Sequence, residues 1–301
     1  MPGCDEANLR TGPTTSAPIK VSLGLRSTLT VNGSVAGSQW NVVCPTSKSG
    51  TSWNVISRIN GVPVSSLYGV SVLYGASGLF VPAGSPSLLI SHGRRTGNDV
   101  ALTFDMGGRV GDSLAIMNYL VSRGIGATIF PTGEIVDSTA TSAGREVLKI
   151  IQAHPSQFTL GNHSYTHPYF TQIPAAEMAE ELRRTEAAFA KHTTQDPKPF
   201  FRPPYGASNS AVLAGVGAAL YRLSIYWDID TIDWRPINNP GGPAGPTADQ
   251  IVSKVLSNAK PGSIVLMHLG GYETYEALPR IIDGLRGKGY DLVNLDTMLG
   301  P

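Results

Sequence analysis

Apolar residues recur in two different rhythms. Up to about residue 83, short runs such as "IKVSLGL", "STLTVNGSV", "WNVISRI" and "VSVLYG" are separated by Gly, Ser, Pro and Asn. Alternation at every second residue turns one face of a strand inward, and the close-spaced turn signals predict a small all-β barrel. Residues 84–98 mix Pro, Gly, Ser and Arg and read as a linker and lead-in to a second domain over 99–301. From Val100 the rhythm changes. Strand-length runs, "VALTF", "IGATIF", "FTLGNH", "SIVLMH" and "YDLVNL", now alternate with stretches of helical period. "DSLAIMNYLVSRG" sets Leu114, Met117, Leu120 and Val121 on one helical face, with Asp112 as N-cap and Gly124 as stop. Further helices are expected over 145–154, 174–192, 249–259 and 275–287, with Met178, Leu182 and Phe189 facing inward in the one that opens near Pro174. Strand and helix in alternation mean a parallel α/β sheet, open or closed.

Polar residues gather just after the strands of this second region: Asp105, His163, Asp230, Asp233 and His268. In a closed (β/α) barrel such positions meet at one rim, where active sites are built. Composition excludes several alternatives. Lys+Arg 23 against Asp+Glu 22 gives a net charge of +1, so no nucleic acid or anionic membrane is indicated as a partner. No apolar run approaches the roughly 20 residues of a membrane span, and "MPGCDEANLR" lacks the apolar centre of a signal peptide. Two cysteines, Cys4 and Cys44, both lie in the β region. A bridge between them, worth about 3 to 4 kcal/mol in the chain-entropy model, is favoured over two free thiols. It fits a secreted or wall-associated protein whose Met1 stands in place of an export signal.

The candidate chemistry is local. "HSYTH" spaces His163 and His167 four apart, so a helical turn would aim both imidazoles to one side, as a divalent metal requires. "RPPYG" offers the Arg202 guanidinium, stiffened by Pro203 and Pro204, and the Tyr205 backbone N–H. "DIDTIDW" and "LMH" bring carboxylates and His268 to strand ends, a candidate acid or base pairing. In order, "TFDMGG", "HSYTH", "RPPYG", "DTIDW" and "LMH" resemble the five motifs of the polysaccharide deacetylases, carbohydrate esterase family 4, over residues 95 to 300. The opening "NLRTGPTTS", with "SWNVISRINGV" and "SSLYGVSVLYGASGLF", resembles a bacterial SH3-like domain over residues 1–83.

These resemblances imply a distorted (β/α) barrel that removes N-acetyl or O-acetyl groups from a polysaccharide, most readily peptidoglycan, behind a small wall-binding barrel. They assign His163 and His167 to a divalent ion, zinc, Asp105 as base, Arg202 as its partner, and Tyr205 N–H as oxyanion donor. His268 becomes the acid, supported by Asp233, with Trp234 and Leu266 walling the acetyl pocket and Pro204 and Tyr205 also among the substrate-binding residues. One position departs. The family reads Thr-Phe-Asp-Asp-Gly, and its second Asp binds the metal, whereas this chain has Met106. A neutral, soft thioether does not suit zinc among nitrogen and oxygen ligands, and Met106 is expected to pack as an apolar filler. Asp105 itself, a swinging Asp112 or Glu134, or water then completes the shell. The alternative is a glycan-binding protein that lost turnover with that carboxylate.

Overall fold

The computed structural model describes residues 7–23, 27–43, 47–77 and 83–300. Cys4 and Cys44, expected to be bridged, lie outside these residues. The chain divides into two compact units, 1–82 with 299–301, and 83–298.

In the first unit, β1 (Ala7–Arg10), β2 (Ile19–Leu23), β3 (Leu29–Val43), β4 (Ser47–Ile59), β5 (Val62–Pro63) and β6 (Leu73–Ala76) form one antiparallel sheet. Its order is β2-β1-β6-β4-β3, with β5 on β4. Among the described residues the end strands β2 and β3 are not paired, so the expected barrel is present as a sheet. Leu9, Leu23, Ile56, Ile59, Val64 and Leu73 form its core. The stretch "VSSLY", expected within an all-β pattern, is a short helix, α1 (Val64–Tyr68), closed by Gly69 at φ 69°.

The second unit follows the alternation seen in the sequence. Its strands are β7 (Leu88–Ile90), β8 (Asp99–Met106), β9 (Ala127–Pro131), β10 (Phe158–Leu160), β11 (Phe200–Phe201), β12 (Leu223–Ile225), β13 (Ile229–Asp230), β14 (Ser263–His268) and β15 (Asp291–Leu292). Between them lie α2 (Ser113–Arg123), α3 (Gly133–Asp137), α4 (Ala143–Ala153), α5 (Ala175–Phe189), α6 (Ser210–Ala218), α7 (Ala248–Asn258) and α8 (Thr274–Gly287), with α9 (Leu295–Leu299) after β15. Two parallel sheets result, β10-β9-β8-β14-β13 with β15 on β8, and β11-β12-β7. Isolated bridges join Asn162 to Phe201 and His92 to Ser263, so the pairings run round from β7 through β12, β11, β10, β9, β8 and β14 and close into an irregular ring. Residues 84–98, read as linker, thus contribute β7, which pairs with β12.

Helix ends follow local chemistry. Gly124 stops α2 in the left-handed region at φ 60°, where glycine carries no Cβ penalty. Asp112 sits at the N-cap of α2 but makes no capping hydrogen bond, contrary to its expected role. The helix expected over 174–192 ends three residues earlier at Phe189, and it buries Glu181 and Thr185 besides Met178, Leu182 and Phe189.

Candidate active site

β8 delivers two neighbouring side chains to opposite faces, because successive residues of a strand alternate. Val100, Leu102, Phe104 and Met106 join the hydrophobic cluster that holds Ile116 and Met117 of α2. Met106 is 1% exposed, so it packs as the filler expected of it. Thr103 and Asp105 face the other way, toward Arg202, which follows β11. Arg202 Nη1 donates to Asp105 Oδ1 at 2.7 Å and Nη2 to Thr103 Oγ1 at 2.9 Å. The guanidinium is fully buried, with the Phe130 ring 4.3 Å away and Nε donating to the Ile225 carbonyl at 3.2 Å. Burial alone would favour protonation of Asp105. Arg202, with His163 and His268, outweighs it and holds the carboxyl below its ordinary pKa.

The imidazole pair is not on a helix. Residues 161–167 form a loop after β10, with Ser164 at φ 68° and His167 at φ 61°. That loop still brings the two Nε2 atoms to 3.1 Å, and Asp105 Oδ2 lies 3.3 Å from His163 Nε2. His163 Nδ1–H donates to the Arg202 carbonyl at 2.9 Å, which leaves its Nε2 with a lone pair. Burial, and for His167 also the neighbouring His163, lowers both pKa values, that of His167 to about 3. Both rings therefore stay neutral. Glu181, from α5, clamps the loop: its carboxyl accepts from Tyr165 N at 2.8 Å, Thr166 N at 2.7 Å and Thr166 Oγ1 at 2.9 Å.

Opposite stands a second pair. His268, the last residue of β14, lies in register with Asp105 on β8. Its Nδ1–H donates to Asp233 Oδ1 at 2.7 Å, and its backbone N–H to Oδ2 at 2.9 Å. Thr274 Oγ1 adds a third bond to Asp233 at 2.6 Å. The chain passes so close here that a Cβ on Gly271 would fall 2.5 Å from Asp233 Oδ2. Burial opposes the charged form of His268, but Asp233, with Asp105 and Asp230, raises its pKa above the ordinary value. The fixed Nδ1–H leaves Nε2 as the working nitrogen.

The remaining expected residues border these pairs. Leu266, 4% exposed and two residues before His268, shares its strand face and pairs with Thr103. Trp234 follows Asp233 and is 51% exposed. Pro204 is buried, and Tyr205 adopts a left-handed backbone at φ 59°. Its ring packs edge-on to His167 at 4.5 Å and stacks on Tyr169 at 3.9 Å. Asp112 and Glu134, the suggested swinging ligands, are exposed. Thr103, Glu181 and Thr274 went unread in the sequence. A carboxyl among the inward positions of α5 was the available signal for Glu181. The two threonines carry none, since their partners are far apart in the chain.

The resemblance implies a divalent ion, and the side chains test it. Two ligands on a tetrahedral ion with bonds of about 2.0 to 2.1 Å are spaced about 3.3 Å apart. The Nε2 atoms, neutral and 3.1 Å apart, fit that requirement. The donor set is incomplete beyond them: among the described residues no three His, Cys, Asp or Glu side chains are arranged to enclose a metal. Asp105 shares its other oxygen with Arg202.

With this geometry in hand, the comparisons with known proteins are specific. The family model for polysaccharide deacetylase matches residues 92–223. A peptidoglycan-N-acetylglucosamine deacetylase of Listeria monocytogenes is 30% identical over 206 residues, covering 68% of this chain and 40% of that protein. The chain therefore spans well under half the length of that relative. A peptidoglycan-N-acetylglucosamine deacetylase of Bacillus cereus is 31% identical over 204 residues, 66% of this chain and 68% of that one. The crystal structure of a carbohydrate esterase family 4 pseudoenzyme from Bacillus anthracis matches with a TM-score of 0.60 at 26% identity, over 74% of this chain and 70% of that chain.

Proposed function

The chain belongs to the polysaccharide deacetylase family, and from that premise we propose that it hydrolyses acetamido groups on an N-acetylated cell-wall polysaccharide, peptidoglycan above all. The observation that carries this reading is the facing of two prepared groups across adjacent strands, Asp105 paired with Arg202 and His268 paired with Asp233.

His163 and His167 would hold the metal, zinc, whose Lewis acidity polarises the acetyl carbonyl and acidifies water when bound. Asp105, kept ionised by Arg202, receives the proton of the attacking water at Oδ2, the oxygen Arg202 Nη1 does not engage. As the C–O bond forms, the Tyr205 N–H donates to the carbonyl oxygen that becomes negative. His268 then delivers the proton on Nε2 to the sugar nitrogen as the C–N bond breaks, releasing acetate and a free amine. Asp233 steadies the imidazolium until that transfer. Leu266 and Trp234 border the acetyl methyl, and Pro204 stiffens the turn that carries Tyr205. In the same reading the first 83 residues act as an SH3-like module that holds a secreted enzyme on the wall.

Met106 supports a second reading, a glycan-binding protein without turnover, because the buried thioether leaves the metal one anionic ligand short. Acetate release from peptidoglycan fragments and chitin oligomers by the zinc-loaded native protein, with and without chelator, and calorimetric binding of the same glycans separate the two. Chelator-sensitive release is expected. Glycan binding without release at saturating zinc establishes the second reading.

A further inference from the structure

The described residues of the second unit expose four large aromatic rings, Tyr169, Tyr205, Trp234 and Tyr275, at 43%, 57%, 51% and 39%. Singly scattered exposed rings are ordinary. These are not scattered. Tyr169 follows His167 by two residues, Tyr205 follows Arg202 by three, Trp234 adjoins Asp233, and Tyr275 adjoins Thr274, the partner of Asp233. Two of them form a continuous series with the site. The His167 ring meets Tyr205 edge-on at 4.5 Å, and Tyr205 stacks on Tyr169 at 3.9 Å with 14° between planes. The series leads outward from a candidate metal ligand to solvent.

Stacking restrains both tyrosines, so this apolar surface is already ordered, and little side-chain entropy remains to be lost when a ligand settles on it. A tyrosine offers an apolar body with its hydroxyl left in water. That is the chemistry that suits a sugar ring, with its C–H groups on the faces and hydroxyls around the edge.

We propose that Tyr169 and Tyr205 form an aromatic ledge that stacks the sugar next to the one being deacetylated, so that the protein reads a run of linked N-acetyl sugars and not an isolated one. The inference rests on the deacetylase reading. It commits the ledge to the substrate's own glycan strand, because the ring series is continuous with His167.

The test is a length series, from N-acetylglucosamine to its pentamer, with two readouts. Affinity is measured by calorimetry on chelator-treated protein, and kcat/KM for acetate release on zinc-loaded protein. In the native protein both rise with length. Tyr169→Ala should cost the pentamer about 2- to 10-fold, the range of one aromatic stacking contact, and the monosaccharide less. Tyr169→Phe should keep the length dependence, since the ring and not the hydroxyl is used, and melting temperatures confirm that both variants fold. An equal loss on monosaccharide and pentamer, no loss at all, or an equal loss in Tyr169→Phe overturns the ledge. Length-dependent binding that Tyr169→Ala flattens, without acetate release, overturns the deacetylase reading and leaves the ledge standing.

Discussion

Asp233 is the residue on which the proton chemistry turns. It accepts from the His268 side chain, the His268 backbone and Thr274, and it is fully buried. Its charge and hydrogen bond, together with the charges of Asp105 and Asp230, outweigh the burial that would otherwise lower the His268 pKa, so the imidazolium persists above the ordinary imidazole range. The sign of the pH dependence follows. His268 loses its acid form as pH rises through a raised pKa, which places the alkaline limb of kcat/KM above the ordinary value. Asp105, His163 and His167 are all shifted down, His167 to about 3, so each gains its proton at a lower pH than the free group would. Asp233→Asn should lower turnover by roughly 10² to 10⁴ and move the alkaline limb to lower pH. Unchanged turnover with an unmoved limb in a pH series of both proteins would dissolve the pairing. The Asp-His pair was legible from "DTIDW" and "LMH", but Thr274 and Gly271, which fix the carboxylate, were not. They reach Asp233 across about 40 residues of chain.

Helix α5 matters beyond its apolar face. Met178, Leu182 and Phe189 were readable as inward positions, while Glu181 beside them places a carboxyl against the loop that carries both imidazoles. That loop contains two non-glycine residues at positive φ, a conformation costing about 1 to 3 kcal/mol per residue. The three bonds to Glu181 offset this strain and set where His163 and His167 stand. Glu181→Leu keeps a side chain of similar size but removes every acceptor used by Tyr165 N, Thr166 N and the Thr166 hydroxyl. It should lower the melting temperature by several degrees, for a loss of about 1 to 3 kcal/mol. It should also weaken zinc binding by about 10- to 100-fold, the effect of losing an outer partner of metal ligands. A lower melting temperature with unaltered zinc affinity would reduce Glu181 to a folding role.

In the whole molecule, two units of different grammar share one chain. If the first is the wall-binding module, deleting residues 1–82 should reduce sedimentation with peptidoglycan sacculi while soluble chitin oligomers are still deacetylated. Loss of both activities together would show that the β unit serves the site and not the wall. The boundary near residue 83 was visible as a change of period, yet β7 lay hidden in a Pro- and Gly-rich stretch. It counts as a strand because β12 supplies a partner more than 130 residues later, and pairing at that distance leaves no local mark.

Most strands and helices of the second unit, its parallel α/β plan and the residues expected at the candidate site follow from period, turn chemistry and motif order, because these are properties of neighbours in the chain. Convergence does not follow from them. The spacing of His163 and His167 suggested a helical turn, whereas the protein uses a loop held by Glu181 and the Arg202 carbonyl. Asp105 and Met106 adjoin in sequence and part in space, since the pleat sends one to Arg202 and the other into the core. Shifted pKa values arise in the same way, from burial and from charges contributed by different strands. Such effects depend on distance through space, which a linear order of residues does not contain.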